Sequence, residues 1–190
     1  LAWYPGMEGG RAIVDVLLGD AEPAGRLPMV IPHRQTDLPN VDWRASAVTY
    51  GRWWGQRKLD RDGVPAAYPF GFGLGYAQTA ITSAELRNKH EVSVQVSNTS
   101  SRDGVEVVQV YAHRIERAGL PSDEPVQKLV GYARVPVTAG STVTATVVVD
   151  RDAYRTWNPD HATWEQWTGP IELRVGSSSR SIAQTVQISL

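Results

Sequence analysis

Tyr68-Pro69-Phe70-Gly71-Phe72-Gly73-Leu74-Gly75-Tyr76 separates two differently patterned regions of the chain. Three glycines alternate with Phe, Leu and Tyr, which fits neither a helix nor a free linker. Glycine weakens a helix through backbone entropy, and Pro69 steers Tyr68 away from helical angles. A flexible linker would carry serine and charges in place of large apolar and aromatic side chains. The stretch reads as an ordered, extended strap: its glycines let the backbone lie against other backbone, and its rings anchor it in a crevice between two bodies. The plainer alternative is a buried strand with glycine kinks.

On the N-terminal side, residues 1–4 read as the end of an apolar strand stopped by Pro5-Gly6. Gly9-Gly10 opens a helix running to about Leu18, with Ala12, Ile13, Val16 and Leu17 on one face at three-and-four spacing and Gly19 as its C-terminal cap. A strand, a glycine-rich turn and a helix make half of a βαβ unit, hence a piece of an α/β layer. Helix N-termini attract anions, but Glu8 sits in this first turn, where the helix dipole stabilises its carboxylate; that argues against phosphate and leaves Glu8 between a structural role and contact with a polar ligand. Gly25-Arg26-Leu27-Pro28-Met29-Val30-Ile31-Pro32 is a short Pro-bounded strand, so an edge or sheet end. Residues 33–62 keep no helical or strand period, and carry Trp43, Trp53 and Trp54. A thirty-residue irregular loop is functional or packed on another domain. Tryptophans in it either stack on sugar faces or fill space. His33 reads as a surface hydrogen-bonder, and with no spaced histidine pair no metal site is expected.

Beyond Tyr76 the pattern turns to alternation. His90-Glu91-Val92-Ser93-Val94-Gln95-Val96-Ser97 places valines on one face. Asn98-Thr99-Ser100-Ser101-Arg102-Asp103-Gly104 is turn chemistry, with Gly104 suited to a positive φ. The next strand, 105–111, carries Val105 and Val107, then Val108 and Val110; that switch in register fits either a bulge or burial on both faces. Strands follow at 128–135 (after a Pro-bounded loop), 143–149, 163–167, 171–176 and 181–190, with Ala139-Gly140 as one of the turns. Seven short turn-punctuated strands over about 110 residues make an all-β sandwich of immunoglobulin-like size. No titratable cluster for chemistry stands out in it.

Composition bounds the rest. The chain has 190 residues with 42% apolar and 21% charged side chains, enough for a core. Nineteen basic and twenty acidic side chains leave a net charge of −1, so no field draws nucleic acid or an anionic membrane. Cysteine is absent, which excludes disulfides and thiolate metal sites. No apolar run approaches the roughly 20 residues that cross a bilayer. A soluble protein is expected, cytoplasmic or secreted, and the start of the chain inside a strand suggests a portion of something longer.

Trp3-Tyr4-Pro5-Gly6 with Glu8-Gly9-Gly10, then Gly25-Arg26-Leu27-Pro28, then the aromatic strap, resemble the C-terminal part of glycoside hydrolase family 3, in particular its β-glucosidases. Asn98-Thr99, Gly104, Glu106-Val107-Val108-Gln109-Val110-Tyr111, Leu129-Val130-Gly131-Tyr132 and Val175-Gly176-Ser177-Ser178-Ser179-Arg180 resemble that family's fibronectin type III-like domain. The resemblance implies an α/β remnant, the last strands and helix of an α/β sandwich (1–48), an interdomain loop and connector (49–78), and a fibronectin type III-like β-sandwich (79–190). It further implies a retaining β-glycosidase, most simply a β-glucosidase, acting on terminal non-reducing β-linked sugars of a glycoside or oligosaccharide. Its nucleophilic Asp and acid/base Glu would lie N-terminal to this chain, in a TIM-type barrel and the rest of the α/β sandwich, whether in the same or a separate polypeptide. No catalytic residue, cofactor or metal ligand is therefore expected here, and the chain alone is expected to be inactive. Relatives commonly carry Gly-Tyr-Arg-aromatic-Tyr-Asp ahead of the strap; Gly55-Gln56-Arg57-Lys58-Leu59-Asp60 lacks both tyrosines, and Trp53-Trp54 lies just upstream. Trp53 and Trp54 are the candidates for substrate contact. The competing reading is a noncatalytic carbohydrate-binding or scaffolding module.

Overall fold

The computed structural model describes residues 1–116 and 124–190, so part of the Pro-bounded loop ahead of Lys128 lies outside the described residues. Helix α1 (Gly9–Leu18) ends at Gly19, whose φ of 86° supplies the left-handed cap. Strand β1 (Ile31–Pro32), a 3-10 turn (Gln35–Asp37), helix α2 (Gly55–Asp62) and strand β2 (Ala66–Tyr68) follow, with β1 and β2 paired antiparallel. The sandwich then takes β3 (Thr79–Asn88), β4 (Glu91–Asn98), β5 (Gly104–Arg114), β6 (Lys128–Val137) and β7 (Thr142–Val148). A 3-10 turn (Arg151–Tyr154) leads into a two-stranded ribbon, β8 (Arg155–Asn158) and β9 (Thr163–Gln166), before β10 (Pro170–Gly176) and β11 (Ile182–Ser189).

Two antiparallel sheets, β11-β10-β5-β6 and β3-β4-β7, form the sandwich. Alternation puts Val92, Val94 and Val96 of one sheet against Val108, Val110, Ile171 and Leu173 of the other. Burying each of these side chains contributes roughly 1.5–3 kcal/mol relative to leaving it exposed. The all-β expectation holds, with seven strands in the two sheets among the described residues. One member differs: 163–166 sits in the separate ribbon, and β3 takes its place. β3 escaped notice because Thr, Ser and Ala dilute its alternation and its register against β4 shifts at Ile81/Ser83.

Strand β5 realises both options that its valines left open. It is buried on both faces from Val108 to Ala112, and its pairing with β6 is irregular at Val110/Tyr111. The core-facing side chains are Val108, Val110 and Ala112; Gln109 and Tyr111 point the other way and are also covered. What covers them is the strap. The Gly71 and Phe72 backbone exchanges hydrogen bonds with Leu27 (2.8 Å each), Ser179 N donates to Phe70 O (3.0 Å), and Gln109 Nε2 donates to Gly71 O (3.0 Å). A Cβ at Gly73 would stand 2.5 Å from the Gly25 carbonyl oxygen, the close backbone approach its sequence suggested. Anchoring by buried rings is confined to the first half: Phe70 and Phe72 are half-buried, whereas Leu74 and Tyr76 are exposed. The second half is held by polar contacts, with Glu22 Oε1 accepting from Tyr76 N (3.0 Å) and Ala77 N (3.3 Å) and the Tyr76 hydroxyl donating to Val16 O.

Several sequence expectations change. Residues 1–4 form no strand and Leu1, Trp3 and Tyr4 are exposed; a strand needs a neighbour for its backbone groups, and none lies beside it among the described residues. Of 25–32, only Ile31 and Pro32 are strand. Within 33–62, α2 interrupts the irregular stretch. Its single fully buried side chain, Leu59, gives no periodic signal, while Gln56–Asp60 and Lys58–Asp62 pairs and the left-handed Gly63 cap support it. Gly104 does not take a positive φ; a Cβ there would stand 2.2 Å from Ala77 Cβ, so the glycine serves close packing. Glu8 is the N-cap residue of α1 and makes no side-chain capping bond. The face of α1 read as buried is open, with Ala12, Ile13 and Leu17 exposed.

Candidate functional site

Helix α2 lies over the outward face of β5, and between them runs a groove of about 850 Å³. Its apolar wall includes Met29, Val30, Trp54, Phe70, Tyr111 and Leu129; its polar groups include Gln56, Arg57, Asp60, Gln127 and Lys128. Gln56 ties the helix to the strap, its Oε1 accepting from Phe70 N (3.0 Å) and its Nε2 donating to Asp60 Oδ1 (2.7 Å). The same Asp60 oxygen lies 2.7 Å from Arg180 Nη2, which fixes α2 to the β10–β11 connection. The Tyr111 hydroxyl donates to Gln109 Oε1 (2.5 Å), and Gln109 Nε2 donates to Ser177 O (2.6 Å). None of this network was legible as a site, although Asp60 and Arg180 each close one of the motifs quoted above.

Trp53 and Trp54, adjacent in sequence, go separate ways. Trp54 is the N-cap residue of α2, packs against Tyr50 at 4.8 Å between ring centroids and lines the groove. Trp53 does not line it; the Arg61 guanidinium lies 4.8 Å from its ring centroid.

Burial pushes the Asp60 carboxyl above its ordinary value of 3.8, against the opposing pull of the Gln56 hydrogen bond and the charges of Arg180 and Arg174. Burial, then the Asp60 charge, pushes the Tyr111 hydroxyl up as well. Because Asp60 is raised on folding, its contribution to stability is full below 3.8 and is lost as pH rises through its folded value. Asp60→Asn, which cannot titrate, is expected to lack this component. The stability difference between the two proteins should move in favour of the native one as pH falls from neutral towards about 4. Urea midpoints across that range check it, and a pH-independent difference would contradict it.

Glycosidic cleavage uses two carboxylates flanking the bond. Asp60 is the one carboxylate among the described residues lining this groove, and it is engaged by Arg180 and Gln56. No cluster of three or more His, Asp or Glu side chains suited to a metal occurs among the described residues, nor any helix long and apolar enough to cross a membrane. An aromatic wall facing hydrogen-bonding side chains is an arrangement for binding.

Residues 1–76 match the Glycosyl hydrolase family 3 C-terminal domain, and residues 106–179 match the Fibronectin type III-like domain. Beta-glucosidase B of Emericella nidulans is 36% identical over 212 residues, covering all of this chain and 24% of that protein. Exo-alpha-(1->6)-L-arabinopyranosidase of Bifidobacterium breve is 33% identical over 198 residues, again across all of this chain and 26% of its own length. The crystal structure of a GH3 beta-glucosidase from Bifidobacterium adolescentis superposes with a TM-score of 0.89 at 33% identity, covering 100% of this chain and 29% of that one. The chain thus spans about a quarter of the length of the curated relatives it matches.

Proposed function

Since the chain belongs to glycoside hydrolase family 3, carrying that family's C-terminal domain and a fibronectin type III-like domain, we propose that it is the noncatalytic C-terminal part of a retaining β-glycosidase. The activity is hydrolysis of terminal non-reducing β-linked sugars, with a β-glucoside as the substrate the relatives' names favour. In this reading the nucleophile and the acid/base come from a barrel and the preceding α/β layer, and this chain completes and braces them. Trp54, on the groove wall, is assigned to sugar contact there, and Trp53, its neighbour in sequence but outside the groove, is the second candidate.

The observation that carries the proposal is the state of α1. One side of the helix is held to the sandwich by polar contacts: the Tyr76 hydroxyl donates to Val16 O (2.7 Å), and Arg102 donates to Gly19 O while lying 5.0 Å from the Tyr76 ring centroid. Away from these contacts Leu17 and Leu18 are each 74% exposed, and Met7 and Tyr4, ahead of the helix, are open as well. A helix docked this firmly with its leucines uncovered is built to receive another body.

Complementation tests it. The chain alone should not release nitrophenol from p-nitrophenyl β-D-glucoside; co-expressed with the polypeptide that precedes it, it should support hydrolysis. Leu17→Glu with Leu18→Glu should reduce the complemented rate at least about tenfold while changing the chain's own stability by less than about 0.5 kcal/mol, since both side chains are exposed. Hydrolysis by the chain alone would sink the proposal.

A further inference from the structure

Arg52, Arg57 and Lys128 line the groove beside α2 and also a second hollow of about 200 Å³ against the β8–β9 ribbon, so the two spaces adjoin. The ribbon is firmly based. Trp167, just past β9, is buried; its backbone N donates to Tyr154 O and its indole Nε1 to Thr156 Oγ1, both at 2.7 Å. Lys128 Nζ lies 4.6 Å from the centre of that ring. Above this base, Trp157 and Trp164 sit directly opposite one another, their rings edge-to-face at 5.5 Å. They are 40% and 60% exposed, and both line the hollow.

Cations outnumber carboxylates in the lining around these rings. Arg52, Arg57, Lys128 and Arg155 line the hollow, and Glu124 is its one carboxylate among the described residues. Arg155 is paired with the exposed Asp152 at 2.6 Å. Arg57 forms no ion pair or hydrogen bond among the described residues; burial holds the Lys128 ammonium below its ordinary value, against the charges of Glu124 and Asp150 and with a smaller contribution from the Arg57 charge.

Indole faces take the C–H side of a pyranose ring, and guanidinium forks take a carboxylate in two parallel hydrogen bonds. A hexuronate carries its carboxylate at the rim of the ring, so that a sugar stacked on an indole directs it sideways to flanking cations. We propose that this hollow is a binding site for a hexuronate residue of an acidic oligo- or polysaccharide. Trp157 and Trp164 hold the sugar ring, and Arg57 with Arg155 receives the carboxylate. Binding to it does not depend on the chain serving a glycosidase.

Titration of the full chain with trigalacturonate, followed by tryptophan fluorescence and calorimetry at low salt, tests the assignment, with cellotriose as the neutral comparison. Trigalacturonate is expected to bind saturably and at least about tenfold more tightly than cellotriose, charge-assisted hydrogen bonds being worth that much or more. Added salt should weaken it. Trp164→Ala and Arg57→Glu should each lower the affinity at least about tenfold. Trp164→Phe, which keeps a ring on the ribbon, should retain part of it and so separate loss of stacking from loss of the ribbon. No saturable binding, equal affinity for cellotriose, or an Arg57→Glu variant that binds as the native chain does would overturn the proposal.

Discussion

Arg26→Ala is expected to destabilise the chain by about 3 kcal/mol, the lower end of the range for breaking a buried ion pair. Arg26 Nη2 lies 2.7 Å from Glu106 Oε1, and the two side chains are 16% and 6% exposed. Glu106 also accepts from Thr79 Oγ1 (2.7 Å) and from Val107 N (2.9 Å), and these two bonds keep the loss from being larger. Arg26 meanwhile donates through Nη1 to Gly73 O (2.8 Å), so one guanidinium joins the segment before α2, the strap and the first sheet of the sandwich. Removing it strands a carboxylate in a place water does not reach and loosens the second half of the strap. Removing both charges is a different matter. Arg26→Met with Glu106→Gln leaves no buried charge, the amide oxygen accepting from Val107 N and the amide NH2 donating to Thr79 Oγ1, and should recover most of the loss. Urea unfolding of Arg26→Met, Glu106→Gln and the double variant closes a double-mutant cycle. A single-variant loss below about 1 kcal/mol would mean that the pair is solvated and carries little.

Arg26 also marks where sequence reading reached its limit. Gly25-Arg26-Leu27-Pro28 was visible as a motif, and Glu106 stood in another, but nothing local says that one side chain reaches the other across the strap. The strands were legible because each carries its own period-two signal in valines, and β4 and β7 fell within a residue or two of their expected ends. Helix α2 was not, because its stability comes from i,i+4 polar pairs and one buried leucine in place of an apolar stripe. Aromatic content pointed to Trp53 and Trp54 together; only the fold separates them, since the first packs under Arg61 and the second faces the groove. The groove itself is made of contacts between α2, the strap and β5, and such contacts leave no pattern in any one segment. The ribbon pair Trp157 and Trp164 was hidden for the same reason, being two residues of different strands that meet only through register.

Gly71→Ala is expected to have a larger effect, about 3–5 kcal/mol, because two penalties coincide. The φ of Gly71 is 81°, in the left-handed region, where a Cβ alone costs roughly 1–2 kcal/mol. That Cβ would also stand 1.9 Å from Gln109 Oε1. A side-chain tip normally swings aside, but Gln109 is buried and fully engaged: its Nε2 donates to Gly71 O and Ser177 O, and its Oε1 accepts from the Tyr111 hydroxyl. Displacing it breaks bonds that water cannot replace, each worth roughly 1–3 kcal/mol once left unsatisfied. The two penalties can be separated experimentally. In a Gln109→Ala background the clash is gone, so adding Gly71→Ala should cost only the backbone part, about 1–2 kcal/mol. A cost for Gly71→Ala unchanged by that background would show that Gln109 yields freely and that the left-handed backbone alone requires glycine. The expected drop instead identifies the Gln109–Gly71 contact as the bolt that seats the strap on β5, one residue from the Phe70 ring that walls the groove.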